Sequence, residues 1–311
     1  MRQPQSHLPR AALALGLFFL LACAAPAFGR PDLPISLPPD HWRPLEAWQN
    51  APLQNALSQA LKQRQGWPEL LAARKMAVGL VDLSDPRTPR FAQVNGDTML
   101  YAASLPKIVV LLAAFHGLAD GRLPPTAQIH RELSAMIRES SNPAAASLIN
   151  RLGLPYIQSL LFQPRYRFYR PRQGGGLWVG STFAVGGAQF SEPLQDLTQA
   201  ATATQVCRFY YLLAHGRLLN PTASRQMLGI MAHPGLSDKF VAVLERSVPP
   251  ARLFRKNGTY GATHCDSVLV WGEGWRRYIL VGLVEDARGE QILRDLVPLA
   301  ERVLRQSRSR R

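Results

Sequence analysis

Apolar positions along the chain change their period twice. Met76–Leu83 has the two-residue rhythm of a strand, Ser84-Asp-Pro-Arg-Thr-Pro89 turns the chain, and Arg90–Val94 returns it as a hairpin partner before a turn at Asn95-Gly96-Asp97. Helical spacing precedes this hairpin at Pro52–Arg64 and follows it at Ser104–Ala119, Ile129–Glu139, from Pro143, at Ala200–Ala214 and at Pro221–Ala232. Between these helices Phe162–Gln195, rich in glycine, arginine and aromatics, shows no period and is read as a long loop, which at such a length is often functional. Strand rhythm resumes at Arg252–Lys256, Ser267–Trp271 and Arg277–Val284, the last two joined by Gly272-Glu-Gly-Trp275. In Glu290–Arg305, finally, Ile292, Leu293, Leu296, Val297, Ala300, Val303 and Leu304 share one helical face.

Strands and helices at both ends therefore bracket a mostly helical middle. The order predicts an α/β protein of the α+β type: an antiparallel sheet flanked by helices, with an all-α domain inserted. Residues 46–100 and 236–311 are assigned to the sheet domain and 101–235 to the helical one, with the cleft between them as the default ligand site.

Composition adds a compartment. Arg2 and Arg10, the apolar run Ala11–Leu21 and the small residues Ala27-Phe28-Gly29 make residues 1–29 a secretory signal, and Pro-rich residues 30–45 a lead-in to the fold. Leu20-Leu21-Ala22-Cys23 also resembles a lipobox, in which Cys23 would carry a lipid anchor; simple cleavage is favoured because Leu21 is bulky. Beyond the signal only Cys207 and Cys265 remain, enough for one disulfide or two buried thiols but not for a framework. The net charge of +15 would raise nucleic acid as a partner inside a cell; in an exported, periplasmic protein it meets anionic cell-wall polymer and lipid head groups instead. The Arg165–Arg172 cluster and the Arg305–Arg311 tail are read as solvated or wall-facing charge, no motif supports nucleic-acid binding, and a monomer is expected.

The chemistry begins at Ala102-Ala103-Ser104-Leu105-Pro106-Lys107. A lysine three residues after a serine lies on the same helical face, and Pro106 falls where its missing N–H is harmless. The chain holds only five lysines against thirty-one arginines, so Lys107 looks chosen: a buried lysine can shed its proton and act as a base, whereas arginine cannot. The same residues also suit a capping serine followed by an ordinary helix lysine. Ser140-Ser141-Asn142 suits a helix start with Asn142 as N-cap and Pro143 at N1, and Lys256-Asn257-Gly258-Thr259 suits an Asn-Gly hairpin. His264 and Asp266 lack a Gly-x-Ser-x-Gly elbow and are read as structural; the histidines show no metal-ligand spacing, and no metal or cofactor is expected. Trp178 and Gly174–Gly176 are read as packing the long loop rather than bordering the cleft.

Taken together and in this order, Ser104-x-x-Lys107, Ser140-x-Asn142 and Lys256-x-Gly258 resemble the signature of the serine penicillin-recognising enzymes, and within them the class A β-lactamases. The resemblance runs from about residue 46 to the end and takes in the Thr198-Gln-Ala-Ala-Thr-Ala-Thr204 helix start and the closing strands. It implies a β-lactamase/transpeptidase-like fold with Ser104 as nucleophile, Lys107 as its proton acceptor and Ser140 as relay to the leaving nitrogen. It further implies that Asn142 holds the substrate amide, that Lys256 attracts a substrate carboxylate and helps to keep Lys107 unprotonated, and that the N–H groups of Ser104 and Thr259 form the oxyanion hole. The implied activity is hydrolysis of a β-lactam amide through a Ser104 acyl-enzyme. D-alanyl-D-alanine peptidase action on peptidoglycan is the alternative, as is a penicillin-binding or cell-wall-binding protein with little turnover.

The chain departs from that pattern at four points. Asn257 replaces a hydroxyl residue, Ser141 replaces an aspartate, and the 36 residues from Ser104 to Ser140 are fewer than the family spacing. The family's loop glutamate, which activates the deacylating water, would fall near Ser181–Thr182, where no acid stands. Glu192 is the candidate for a displaced water activator, and Asp196 suits a helix cap.

Overall fold

The computed structural model describes residues 39–247 and 249–307; the expected signal segment with Cys23, most of the Pro-rich lead-in and residues 308–311 lie outside them. Asn50 opens the first long element. Its side-chain oxygen accepts from Leu53 N–H at 3.0 Å, and α1 (Ala51–Lys62) then turns Leu53, Leu57 and Leu61 inward. The short α2 (Trp67–Ala72) leads to β1 (Met76–Asp82), β2 (Arg90–Val94) and the two-residue β3 (Leu100–Tyr101). Helices follow: α3 (Lys107–Ala119), α4 (Ala127–Arg138), α5 (Asn142–Leu152) and α6 (Leu154–Phe162). The stretch read as a loop contains short strands, β4 (Tyr169–Arg170), β5 (Gly175–Gly176) and β6 (Trp178–Val179), before β7 (Gln199–Ala201). The chain closes with α7 (Ala203–Ala214), α8 (Pro221–Met231), α9 (Lys239–Leu244), β8 (Arg252–Tyr260), β9 (Thr263–Trp271), β10 (Arg277–Glu285) and α10 (Gly289–Gln306).

Five strands form one antiparallel sheet in the order β2-β1-β10-β9-β8. Alternate residues feed two apolar layers. Met76, Val78 and Leu80 face the α1 leucines and Leu293, Leu296 and Val297 of α10; Ala77 and Val81 face a second layer shared with α7 and the inserted helices. Because both faces are covered, β1 is buried throughout and its sequence is nearly continuous apolar. Every residue of α7 is buried, as expected of a helix inserted between sheet and helices. No helix among the described residues is long and apolar enough to cross a membrane.

Several expected boundaries move. Helix α3 starts at Lys107, not Ser104, with Pro106 as N-cap. The Thr198–Thr204 helix start is instead strand β7 followed by the Thr202 cap of α7, whose side chain accepts from Gln205 N–H. Asn257-Gly258 lies inside β8, and the hairpin turns two residues after Thr259, at Gly261-Ala262. Helices α2 and α9, six residues each, carry too few turns for a helical period to register, and α6 is set off from α5 by Gly153 at φ +84°.

Candidate active site

Ser104 stands in a tight turn before α3. Ala102 N–H donates to Gln199 O (2.8 Å), Leu105 N–H to Ala102 O (3.0 Å) and Lys107 N–H to Ser104 O (3.2 Å). These bonds hold Ala103 at φ +47°, a left-handed conformation costing about 1–2 kcal/mol outside glycine. The turn leaves Ser104 half-buried while Lys107, the first residue of α3, is fully buried. Lys107 Nζ lies 3.1 Å from Ser104 Oγ, 2.7 Å from Ser140 O and 2.6 Å from Asn142 Oδ1. Burial draws its pKa down to about 7. A neutral amine here spends its two N–H groups on Ser140 O and Asn142 Oδ1, which leaves its lone pair for the Ser104 hydroxyl.

Ser140 to Asn142 link α4 to α5. The structure reassigns the cap: Ser141 Oγ, not Asn142, accepts from Ala144 N–H at 3.2 Å, and Asn142 is the first residue of α5. With the capping task at Ser141, the Asn142 side chain is free to reach Lys107. Ser140 sits at φ +59°, and its hydroxyl accepts from Lys256 Nζ at 2.9 Å.

Lys256 to Thr259 lie on β8, the sheet's edge strand. Lys256 is buried, and its Nζ also donates to Asn257 O at 2.8 Å. Burial first, then the charges of Lys107 and Arg255, push its pKa well below the ordinary value. Burial is the main cause that lowers Lys107, and the mutual repulsion between Lys107 and Lys256 acts in the same direction on both. Gly258 passes against the nucleophile turn: a Cβ there would stand 2.5 Å from Ala102 O and 2.9 Å from the backbone nitrogens of Ser104 and Leu105. Only glycine permits that approach. Tyr260 pairs with Thr263 across the two-residue turn, so alternate backbone groups of β8, Thr259's among them, point off the open edge.

Two residues absent from the sequence reading complete this wall. Asp238 accepts from both sides: Asn257 Nδ2 reaches Oδ1 and Oδ2 at 3.2 Å, Arg255 Nη2 reaches Oδ1 at 2.5 Å and Lys239 Nζ reaches Oδ2 at 3.1 Å. Burial alone would raise the Asp238 pKa, but Arg255 and Lys239 hold it below the usual carboxylate range. Fully buried Lys239 also donates to Thr259 Oγ1 at 2.6 Å. Its signal was available, because Lys239 is another of the five lysines. Asp266 pairs with Arg255 through two 2.8 Å bonds and accepts from Phe240 N–H at 3.0 Å, a supporting position in keeping with its structural reading.

Glu192 is engaged elsewhere. It is buried, with Oε2 accepting from Tyr169 Oη (2.6 Å) and Leu194 N–H (2.8 Å) and Oε1 from Gln195 N–H (2.6 Å). A carboxylate so occupied has no oxygen free to activate water, which corrects the expectation of a displaced water activator. Asp196 does not cap α7 either; Thr202 does. At the position counted for the family's loop acid, Ser181 bonds Gln199 Nε2 at 2.8 Å and Thr182 is buried. The next residue, Phe183, has its ring centre 4.6 Å from Lys107 Nζ. Trp178 packs the loop, donating to Phe190 O at 2.7 Å, and a Cβ on Gly176 would strike Phe168 O. Cys207 and Cys265 are buried free thiols.

Comparison with solved structures finds the same fold at low identity. A variant of PBP-A, solved as an acyl-enzyme complex with penicillin G, is 21% identical at TM-score 0.60 over 87% of this chain and 100% of that one. A β-lactamase from Sphaerobacter thermophilus DSM 20745 is 16% identical at TM-score 0.60 over 80% and 97%, and the TLA-3 extended-spectrum β-lactamase 13% identical at 0.61 over 81% and 98%. Comparison with curated protein sequences returns no significant match. The model of the β-lactamase enzyme family matches residues 126–303, which span Ser140, Asn142 and Lys256–Thr259. With more than half of the chain matched and the fold shared, the chain belongs to the β-lactamase enzyme family.

Proposed function

We propose that this protein is an exported, periplasmic serine enzyme of the class A β-lactamase type that opens a β-lactam amide by forming an ester on Ser104. The observation that carries the reading is Lys107: buried, 3.1 Å from the Ser104 hydroxyl, and drawn by burial to a pKa of about 7, so that a large share of it is neutral at pH 7. In the proposed step the Lys107 lone pair takes the Ser104 proton while Oγ bonds to the amide carbonyl carbon. The resulting oxyanion faces the N–H groups of Ser104 and Thr259, typically worth about 3–4 kcal/mol of barrier per donor. As the C–N bond breaks, Ser140 gives its proton to the leaving nitrogen and Lys256, 2.9 Å away, replaces it. Lys107 has gained one proton and Lys256 has lost one, and exchange with solvent resets the pair.

The ester is proposed to be long-lived. Glu192 is spent on its own loop and an aromatic ring covers Lys107, which favours the second reading, a penicillin-binding protein with little turnover. Two reagents test this: fluorescent penicillin and a chromogenic cephalosporin. The expected outcome is one label per chain, persistent after removal of free reagent and absent in Ser104→Ala, with slow cephalosporin turnover. Rapid turnover would instead mark an efficient β-lactamase, and release of D-alanine from a D-Ala-D-Ala peptide a peptidase. Labelling that survives Ser104→Ala overturns the mechanism.

A further inference from the structure

A cavity of about 1180 Å³ contains none of the proposed catalytic side chains. It lies between the Trp42–Gln49 segment, the loop around Pro164–Gly175 and one face of α7, where Gln205, Arg208, Leu212 and His215 follow one another at helical spacing. Five arginines line it: Arg165, Arg167, Arg170, Arg208 and Arg217. They face only two carboxylates, Glu46 and Asp97. Three of these five come from the Arg165–Arg172 cluster, which the sequence alone left as solvated or wall-facing charge.

The charge is not cancelled locally. Glu46 answers two guanidiniums, Arg170 at 2.7 Å and Arg208 at 3.8 Å. Arg165 donates to Leu219 O at 2.6 Å, and Arg217 stacks over the Trp42 ring at 4.1 Å. Arg167 makes no side-chain hydrogen bond or ion pair among the described residues and is exposed at the rim. Arg208 is 6% exposed, and burial together with the charges of Arg170 and Arg167 lowers its pKa to about 10 despite Glu46. Four buried polar atoms of lining residues, Trp42 Nε1, Thr204 Oγ1, Gln205 Oε1 and His215 Nε2, lack hydrogen-bond partners among the described residues. A surface that only needs solubility does not sink a guanidinium among its like. Guanidiniums lining one hollow suit the charge and tetrahedral oxygens of phosphate.

We propose that this cavity is a binding site for a phosphate-bearing ligand, a phosphorylated saccharide or a lipid headgroup, separate from the proposed Ser104 site. The volume is far larger than one phosphate needs and suits a ligand of sugar size. Arg167 would meet the phosphate at the mouth, while Arg170 and Arg208, held by Glu46, Gln173 Oε1 and the carbonyls of Tyr166 and Arg167, would supply positive charge behind it.

The test is calorimetric titration of the full chain with inorganic pyrophosphate, and co-sedimentation with phosphatidylglycerol against phosphatidylcholine vesicles. Saturable pyrophosphate binding that weakens with added salt, or retention by phosphatidylglycerol alone, supports the site; the first points to a free phosphorylated ligand and the second to a headgroup. Arg167→Asn tolerates the positive φ of that residue and should weaken the bound probe about tenfold, while Ser104 labelling by fluorescent penicillin stays unchanged. Arg131→Ala, on the outer face of α4, should have no effect. No saturable binding by either probe, equal losses in Arg167→Asn and Arg131→Ala, or a preference for single-stranded DNA over both probes would overturn the proposal.

Discussion

Three oxygens lie within 3.1 Å of Lys107 Nζ while burial draws its pKa to about 7, so its protonation sets the pace of acylation. Only the neutral amine can take the Ser104 proton, and its fraction rises with pH. The penicillin-labelling rate should therefore climb tenfold per unit below about pH 7 and level above it, a limb read directly by stopped labelling between pH 5 and 9. Lys107→Arg keeps a cation but abolishes the limb and slows labelling by at least about a hundredfold, because guanidinium does not give up its proton. Gly258→Ala tests the other half of the geometry. Its Cβ would stand 2.5 Å from Ala102 O, so the nucleophile turn and β8 must separate. The expected loss is about a hundredfold in labelling rate with a native far-UV spectrum; an unchanged rate would show that β8 does not hold the oxyanion geometry. These residues were legible because serine, lysine and glycine were placed where their ordinary tasks explained them only singly. Asp238 and Lys239 were not legible. Their meaning comes from Asn257 and Thr259, which are near them only once α9 packs beside β8.

Among the elements, the first hairpin was clear in the sequence, whereas the two-residue and three-residue strands, the inner ends of β8 and β9 and the short helices were not. Met76–Asp82 and Arg90–Val94 agree with the apolar rhythm to within a residue, whereas α2 and α9 fill fewer than two turns. Asn257-Gly258 misled in the opposite sense: local preference favoured a turn, and pairing with Asp266 and Cys265 made it strand. The loop between α6 and β7 was legible as a loop, but not the task of its acid. Glu192 accepts from Leu194 and Gln195 N–H and from Tyr169, so its oxygens stand in for a missing backbone ladder. Glu192→Gln presents an amide N–H₂ to at least one of those donors and should cost about 1–3 kcal/mol. The melting temperature then falls by several degrees, while the decay rate of the penicilloyl label stays within about twofold. A water-activating role predicts the reverse pattern, decay slowed by at least about a hundredfold with stability intact. Differential scanning calorimetry and label decay on the same variant separate the two.

For the molecule as a whole, the informative feature is that one apolar cluster joins the sheet to the inserted helices. Ala77, Val81, Ile279 and Leu283 of the sheet share it with Val109 and Leu112 of α3, Leu148 of α5 and Phe209 of α7. The sequence divided the chain into a sheet part and a helical part, and a division in sequence does not require separate unfolding when the core is continuous. Cys207 and Cys265 report on this directly. Cys207, on α7, lies where a Cβ on Gly79 of β1 would come within 2.5 Å of its sulfur, and Cys265, on β9, belongs to the same cluster. Burial raises both thiol pKa values, that of Cys265 to about 12, so neither forms thiolate in the folded state at neutral pH. Alkylation followed by peptide mass spectrometry should thus leave both unmodified in buffer. Along a urea series the two should become reactive together, at the midpoint where far-UV ellipticity is lost. Alkylation of Cys207 at a urea concentration that leaves Cys265 protected would show the helices parting from an intact sheet. The shared core argues for coincidence, because exposing either sulfur requires opening the seam between α7 and β1 or the contact of Cys265 with Tyr101 O, and both thiols belong to one apolar cluster.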